Sequence, residues 1–318
     1  MNSPLKTLRV LRVLAHATLW LLLATVVLSA FMRLSLAGLD CGDWPACYGA
    51  PLRTAAAPVD AGVPAVAQPP AVIAARLAHR VVATLALLAI VSMVMLAWAA
   101  RPRPTPVAAL AGVLLALALA LAVLGVATPG ARLPAVGVGN LLGGFAALAV
   151  AWRLVGQLAP ATPASLPRGP RLLVWTALTL LAVQLASGAL LSTSFAALSC
   201  HSLEECHDLV SAAGWPWEML SPWREPVFSA AEPHVNVDGA MVQWLHRVGA
   251  IVVAVSLIAL AIVAVRVGRA ASGVALLVLI GLQLVLALLA LSGGLPLPAA
   301  MLHNLGAVAL LAVLVRLL

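Results

Sequence analysis

Hydrophobic residues in this chain occur in long, nearly unbroken runs, separated by short segments rich in proline, glycine and charge. A helix needs about 20 apolar residues to cross the hydrocarbon layer of a bilayer, and eight segments reach that length. They are residues 13–35, 73–99, 107–127, 134–156, 172–195, 239–266, 270–292 and 297–316. Because the runs are continuous rather than alternating, a transmembrane β-barrel is disfavoured. The pattern predicts an all-α polytopic membrane protein with eight transmembrane helices.

Composition excludes the main alternatives to a membrane protein. The 318 residues are 64% hydrophobic and 9% charged, whereas soluble proteins carry about 25% charged residues. This excludes a soluble globular enzyme and also a disordered chain, and 4 cysteines are too few for a disulfide-rich scaffold. Basic residues before the first span also suggest a signal peptide. The length of that span and its counterpart at the fifth span favour a retained helix.

The distribution of charge predicts the orientation in the membrane. If the N-terminus is cytoplasmic, the cytoplasmic ends and loops hold most of the 18 Lys and Arg residues and none of the 10 Asp and Glu residues. This positive-inside bias predicts that both termini are cytoplasmic and that the long loops 36–72 and 196–238 lie outside, in a cell (inner) membrane. The net charge of +8 then reflects topology, so the expected partner is the lipid bilayer and not nucleic acid.

The chain also repeats itself after about 160 residues, as internal duplications do. Three pairs of segments align: 37–41 (AGLDC) with 196–200 (AALSC), 77–80 (LAHR) with 244–247 (WLHR), and 140–143 (NLLG) with 303–306 (HNLG). The repeat predicts two duplicated four-helix bundles, an N-terminal half of residues 1–160 and a C-terminal half of residues 161–318. Such parallel repeats are related by an axis along the membrane normal.

Four polar residues occupy matching positions near the outer ends of alternate spans. They are His79, Asn140, His246 and His303, each about two helical turns below the outer surface. A polar side chain at that depth is costly and is a functional candidate, although a single histidine can instead bond a neighbouring helix. Two neutral imidazoles facing each other across a four-helix bundle are typical of axial ligands to haem iron. Zinc is less favoured, because no carboxylate or cysteine lies at that depth.

Two arginines, Arg80 and Arg247, directly follow the paired histidines. They can extend to the interface as arginines near helix ends commonly do, or form salt bridges to haem propionates. The sequence leaves both alternatives open.

The four cysteines form two pairs of equal spacing in the outer loops, Cys41 with Cys47 and Cys200 with Cys206. Outside the cytoplasm each pair can oxidise to a disulfide. A structural disulfide is the preferred interpretation for Cys200–Cys206. For Cys41–Cys47, a redox-active or assembly-linked disulfide is the alternative.

Taken together, these motifs resemble the haem A synthase family (CtaA-type), membrane enzymes that mature haem for cytochrome oxidase. The resemblance covers nearly the whole chain and rests on residues 41–49 (CGDWPACYG), the two His-Arg pairs, residues 140–145 (NLLGGF) and His303. It implies a b-type haem between His246 and His303 in the C-terminal half. It also implies that the N-terminal half receives haem O, whose C8 methyl is oxidised to a formyl group. A haem O-producing enzyme and an unidentified electron donor are the implied partners.

The N-terminal half departs from the family pattern at two positions. The family has a glutamate three residues before its first histidine and a second histidine on the fourth span, where this chain has Arg76 and Asn140. Arginine stays protonated and cannot act as a general base, and asparagine lacks a basic ring nitrogen. A haem there would have His79 as its single histidine ligand, and no catalytic residue is assigned.

Two hypotheses follow from the sequence: a haem A synthase-like oxidoreductase, and a catalytically impaired haem-binding assembly or carrier protein of the same fold. A transporter ranks last, because the spans contain few ionisable residues at mid-membrane. The sequence leaves open whether the protein is a monomer or a homo-oligomer.

Overall fold

The computed structural model describes residues 4–39, 43–50, 69–101, 103–128, 133–160, 166–292 and 294–318. Within these ranges the α-helices are α1 (Pro4–Leu36), α2 (Pro70–Ala99), α3 (Thr105–Ala127), α4 (Pro134–Gln157), α5 (Arg168–Thr193), α6 (Leu203–Ala212), α7 (Ala240–Arg266), α8 (Ala270–Ser292) and α9 (Leu297–Leu317). All except the short α6 are long and apolar enough to cross a membrane. The predicted all-α, polytopic membrane fold is confirmed.

Local sequence determines where several of these helices begin. The helices α2, α3, α4 and α9 each have a proline in the first turn, where the missing N–H would have no helical partner. The first helix begins earlier than the predicted residue 13, because the basic segment before that residue continues the same helix. In a bilayer a continuous helix is favoured, since each backbone polar group must be bonded within the protein.

The spanning helices pack as two rings of four. In the N-terminal ring α1 packs on α2 and α4, and α3 packs on the same two helices. In the C-terminal ring α5 packs on α7 and α9, and α8 packs on the same two helices. Each ring has a separate apolar core, with Met93 and Leu114 in the first and Leu260 and Leu276 in the second.

The rings meet through α1 and α4 of the first and α5 and α9 of the second. Leu185 on α5 and Leu311 on α9 pack against both cores. Helices α7 and α9, which carry the two C-terminal histidines, therefore face each other diagonally across the C-terminal ring.

At one end of the bundle α1 and α5 end and α7 and α9 begin; this is called the loop end. The segment after α1 packs there against the C-terminal ring. Trp44 packs against Gly294, which lies between α8 and α9. A Cβ on Gly294 would come within 2.7 Å of Trp44 Nε1. Tyr48 contacts Phe195, which in turn contacts Phe228. The segment after α1 thus covers the end of the C-terminal ring.

A second structured segment at the loop end lies beside α7. Cys200 and Cys206 form a disulfide with a Cα–Cα distance of 5.3 Å, and Trp215 packs edge-on against Trp244 of α7 at 5.1 Å between ring centroids. The first predicted pair, Cys41–Cys47, involves Cys41, which lies outside the described residues.

Candidate functional site

A cavity of about 300 Å³ lies inside the C-terminal ring, between α5, α7, α8 and α9. His246 and His303 both line it. Its walls are otherwise mainly apolar, and many are small side chains that leave room between the helices. The glycine and alanine residues that line it are Ala37, Gly188, Ala189, Ala197, Ala250, Ala254, Ala287, Ala290, Ala300 and Ala307. The arrangement provides two imidazoles in an apolar space wide enough for a ligand.

His246 is held in place by polar side chains of α5. Its Nδ1 lies 3.0 Å from Ser187 Oγ and 3.1 Å from Gln184 Nε2. The Ser187 hydroxyl also donates to the backbone carbonyl oxygen of Gln184 at 2.9 Å. Both side-chain contacts to the ring are made at Nδ1, so Nε2 is the ring nitrogen that remains for a metal.

Close packing of α5 also positions the His246 ring. A Cβ built on Gly188 would come within 2.9 Å of His246 Cε1, which is closer than real Cβ contacts. The imidazole of His246 therefore occupies space that is available because Gly188 has no side chain.

His303 has a different environment. Gln283 Nε2 on α8 donates to the His303 carbonyl oxygen at 3.0 Å, but among the described residues the buried Nδ1 of His303 has no hydrogen-bond partner. A buried, unpartnered ring nitrogen is costly. An additional group beside this ring would remove that cost.

Two guanidinium groups line the same cavity. Arg247 on α7 donates to the carbonyl oxygens of Cys200 and His201, at 3.3 and 3.4 Å, so it ties α7 to the disulfide segment. Arg33 belongs to α1 of the N-terminal ring and still lines the cavity. The cavity of the C-terminal ring is therefore completed by residues from both halves of the chain.

Tyr48, from the CGDWPACYG segment, also lines the cavity and is 2% exposed. Burial raises the pKa of its phenol, while a backbone hydrogen bond with Ala197 and the charge of Arg33 act in the opposite direction. The phenol is therefore a neutral group at the cavity wall at physiological pH.

Gln243 links the cavity wall to the disulfide segment. It is 2% exposed, accepts a hydrogen bond from the backbone N–H of Cys200 at 2.9 Å and donates to the carbonyl oxygen of Ala197 at 2.9 Å. It lies three residues before His246, the position that Arg76 occupies relative to His79. The same register position thus carries a neutral hydrogen-bonding residue in one half and a cation in the other.

The structure does not bring all of the predicted site residues together. His246, His303 and Arg247 line one cavity, whereas His79, Asn140 and Arg80 are not among the residues that line it. His79 and Asn140 are partly buried within α2 and α4, and Arg80 is exposed. The assignment of these N-terminal residues to a haem site stays a prediction.

Sequence reasoning missed Gln184, Ser187, Gln283 and Arg33. Each of them is a polar or charged residue inside an otherwise apolar span, and such residues are functional candidates by default. Their contacts could not be read from the sequence, since they depend on which helices are neighbours.

The fold and the cavity define a multi-pass α-helical membrane protein with a bis-histidine cavity in its second half. Residues 12–315 match the model of the COX15-CtaA family, described as cytochrome oxidase assembly protein. The chain belongs to this family, which confirms the resemblance to the haem A synthases, and its role lies in the assembly of cytochrome oxidase. A comparison with curated proteins finds no significant match.

Proposed function

We propose that this protein is a haem A synthase-type membrane oxidoreductase that oxidises the C8 methyl of haem O to a formyl group. In this proposal His246 and His303 hold a b-type haem, and haem O enters as substrate in the N-terminal half. The observation that carries the proposal is that both histidines, from diagonal helices of one ring, line the same apolar cavity. When bound, the haem would supply electron transfer.

The residues of the cavity fit such a group. A haem with two histidine ligands would need apolar walls, two imidazole nitrogens and a region of positive charge for its carboxylates. The small side chains provide the first requirement, and the imidazoles of His246 and His303 the second. The guanidinium groups of Arg33 and Arg247 provide the third. The unpartnered Nδ1 of His303 is consistent with a ring whose environment is completed by a ligand.

The chain's own residues would orient and protect the bound group. Ser187 restricts the ring orientation of His246, and Gln184 and Gln283 bond the backbone carbonyl oxygens of the two histidines. Tyr48 and the segment around it cover the loop end of the cavity. These contacts restrict the movement of the imidazoles.

A haem-binding assembly or carrier protein is the second candidate function. It is favoured by an asymmetry between the two rings. In the C-terminal ring Gln283 lies against Gly306, while at the matching Gly143 of the N-terminal ring the neighbour is Leu121. Leu121 therefore stands where the C-terminal ring has a glutamine, and Arg76 and Asn140 add two further differences between the rings.

Pigment analysis tests the proposal. The protein is produced in cells that make haem O but lack any other haem A-forming enzyme, and extracted haems are separated and quantified. Formation of haem A supports the oxidoreductase. Haem bound to the purified protein without haem A, while a related active enzyme makes haem A in the same host, supports the carrier.

The ligand assignment has its own test. Reduced purified protein should show a low-spin b-type absorbance spectrum, and His246→Ala or His303→Ala should abolish it. His16→Ala is the matched control, because His16 is an exposed histidine of α1 that should leave the spectrum unchanged. A wild-type spectrum in both cavity variants would refute the assignment.

A further inference from the structure

A cation from the N-terminal ring reaches into the cavity of the C-terminal ring. Arg33 lies in the last turn of α1, and its guanidinium donates to Ser192 Oγ on α5. Its Nη2 also lies 3.4 Å from Asn304 Oδ1 on α9. These two contacts fix the guanidinium at the boundary between the rings, on the cavity wall.

The charge of Arg33 is not balanced by a carboxylate among the described residues. The ion pairs found there all lie in the segment between α5 and α7: His201–Glu205, His207–Asp208 and Arg224–Asp238. A partly buried cation in a spanning helix is costly without a counter-charge. Ser192 and Asn304 supply hydrogen-bond acceptors but no negative charge.

The guanidinium also has more donors than the structure uses. It carries five N–H groups in a planar fork that matches a carboxylate, and the described residues provide two side-chain acceptors. Arg33 therefore has both the charge and the free donors for an anionic ligand in the cavity.

We propose that Arg33 binds a carboxylate of the tetrapyrrole held in this cavity, so that the N-terminal ring completes the binding site of the C-terminal ring. This inference rests on the proposed function, because the carboxylate is a propionate of the haem assigned to His246 and His303. Asn304 directly follows His303, so its contact with Arg33 places the guanidinium next to a proposed ligand. Arg247, by contrast, already donates to backbone carbonyl oxygens of the disulfide segment.

The test compares protohaem with its dimethyl ester, in which both carboxylates are blocked. The full-length protein, purified in detergent after haem-limited growth, is titrated with each compound, and binding is followed by absorbance. If Arg33 forms a charge-assisted pair with a carboxylate, the wild-type protein should bind the free acid more tightly than the ester, by on the order of tenfold.

Variants identify the residue responsible for this preference. Arg33→Gln should lose most of it, and Arg33→Lys, which keeps the charge but not the planar fork, should recover part. The midpoint potential of the bound haem should also fall in Arg33→Gln, because a nearby positive charge stabilises the reduced form. Arg316→Gln is the matched control: Arg316 is an exposed arginine in the last turn of α9 and should behave as wild type.

The outcomes separate this inference from the proposed function. Equal affinity of the wild-type protein for free acid and ester overturns the inference without any variant, so the test holds even if Arg33→Gln does not fold. An undiminished preference in folded Arg33→Gln also overturns it. If the wild-type protein binds neither compound, the proposed function itself fails, and the inference fails with it.

Discussion

Gln184 on α5 donates a hydrogen bond to the backbone carbonyl oxygen of His246 on α7 at 2.9 Å. The same arrangement occurs at His303 on α9, where Gln283 on α8 donates to the backbone carbonyl oxygen of His303 at 3.0 Å. Each glutamine side chain lies against a glycine three residues after the histidine, Gly249 and Gly306 respectively. The two histidines are therefore supported in the same way. In each case a glutamine side chain from the neighbouring helix packs against a glycine and bonds the backbone carbonyl oxygen of the histidine.

The contact between Ser187 and His246 gives the first prediction. Ser187→Ala removes one of the two side-chain groups that contact Nδ1, which leaves the orientation of the ring less restricted. Haem affinity should fall by about tenfold to a hundredfold, as for other partners of metal-binding histidines.

Titration with haem, followed by absorbance, measures the affinity. Ser92→Ala is the control, because Ser92 is an exposed serine whose hydroxyl bonds a carbonyl oxygen of its own helix. An unchanged haem affinity in Ser187→Ala would show that Ser187 does not position the His246 ring.

The second prediction concerns the space beside His246. Gly188→Ala places a methyl group within 2.9 Å of Cε1, so the imidazole must move and most of the bound haem should be lost on purification. Gly112→Ala is the matched control in a spanning helix, since a Cβ there has no neighbour within 4 Å. This control should keep its haem and be neutral or stabilised by up to about 1 kcal/mol. Equal haem-to-protein ratios in the two variants would show that Gly188 does not define the site.

The sequence predicted the fold well, because the signal for each span is local. Runs of apolar residues with prolines at their ends located α2, α3, α4 and α9 to within a few residues. The repeat likewise placed His246 and His303 at equal depth, and the structure places both on one cavity. Periodicity and duplication therefore suffice for the helices and for two residues that line the cavity; their role as ligands stays a prediction.

The remaining residues of the site depend on contacts between distant parts of the chain. Arg33 contacts Asn304 because α1 packs on α9, and its side chain also contacts Ser192 on α5. No sequence pattern predicts these contacts. Tyr48 belongs to the N-terminal half by sequence and covers the cavity of the other half in space. An interpretation that assigns one separate site to each half cannot identify residues of one half that line the cavity of the other.

The third prediction separates the two halves. His79 is not among the residues that line the cavity, so His79→Ala should leave the low-spin b-type spectrum of the C-terminal ring intact. It should remove only a second, weaker haem population if the N-terminal ring binds haem as its sequence predicts. Haem-to-protein ratios and spectra of the single variant and of His79→Ala combined with His246→Ala measure this. Loss of the main spectrum in His79→Ala alone would show that the two rings share one haem site.

The fourth prediction concerns the helix beside the disulfide, α6. Ser202 Oγ accepts from the backbone N–H of Glu205 at 2.9 Å, and the Glu205 carboxylate accepts from the backbone N–H of His201 at 2.6 Å. The first bond caps the N-terminus of α6, and the second ties the Glu205 carboxylate to the residue before the cap. The bond from His201 is the main cause of a lowered pKa at Glu205.

The sign of the resulting pH dependence follows from that lowered pKa. The folded state favours the carboxylate form, so the stabilisation is present above the unfolded pKa and is lost as pH falls through the lower, folded pKa. Hydrogen exchange of the α6 amides, corrected for intrinsic pH dependence, should therefore show protection that decreases in acid. Glu205→Gln should be less protected at neutral pH and should lack this acid transition. Glu204→Gln, at the adjacent exposed position, should retain it, and an acid transition that persists in Glu205→Gln would assign the effect to another group.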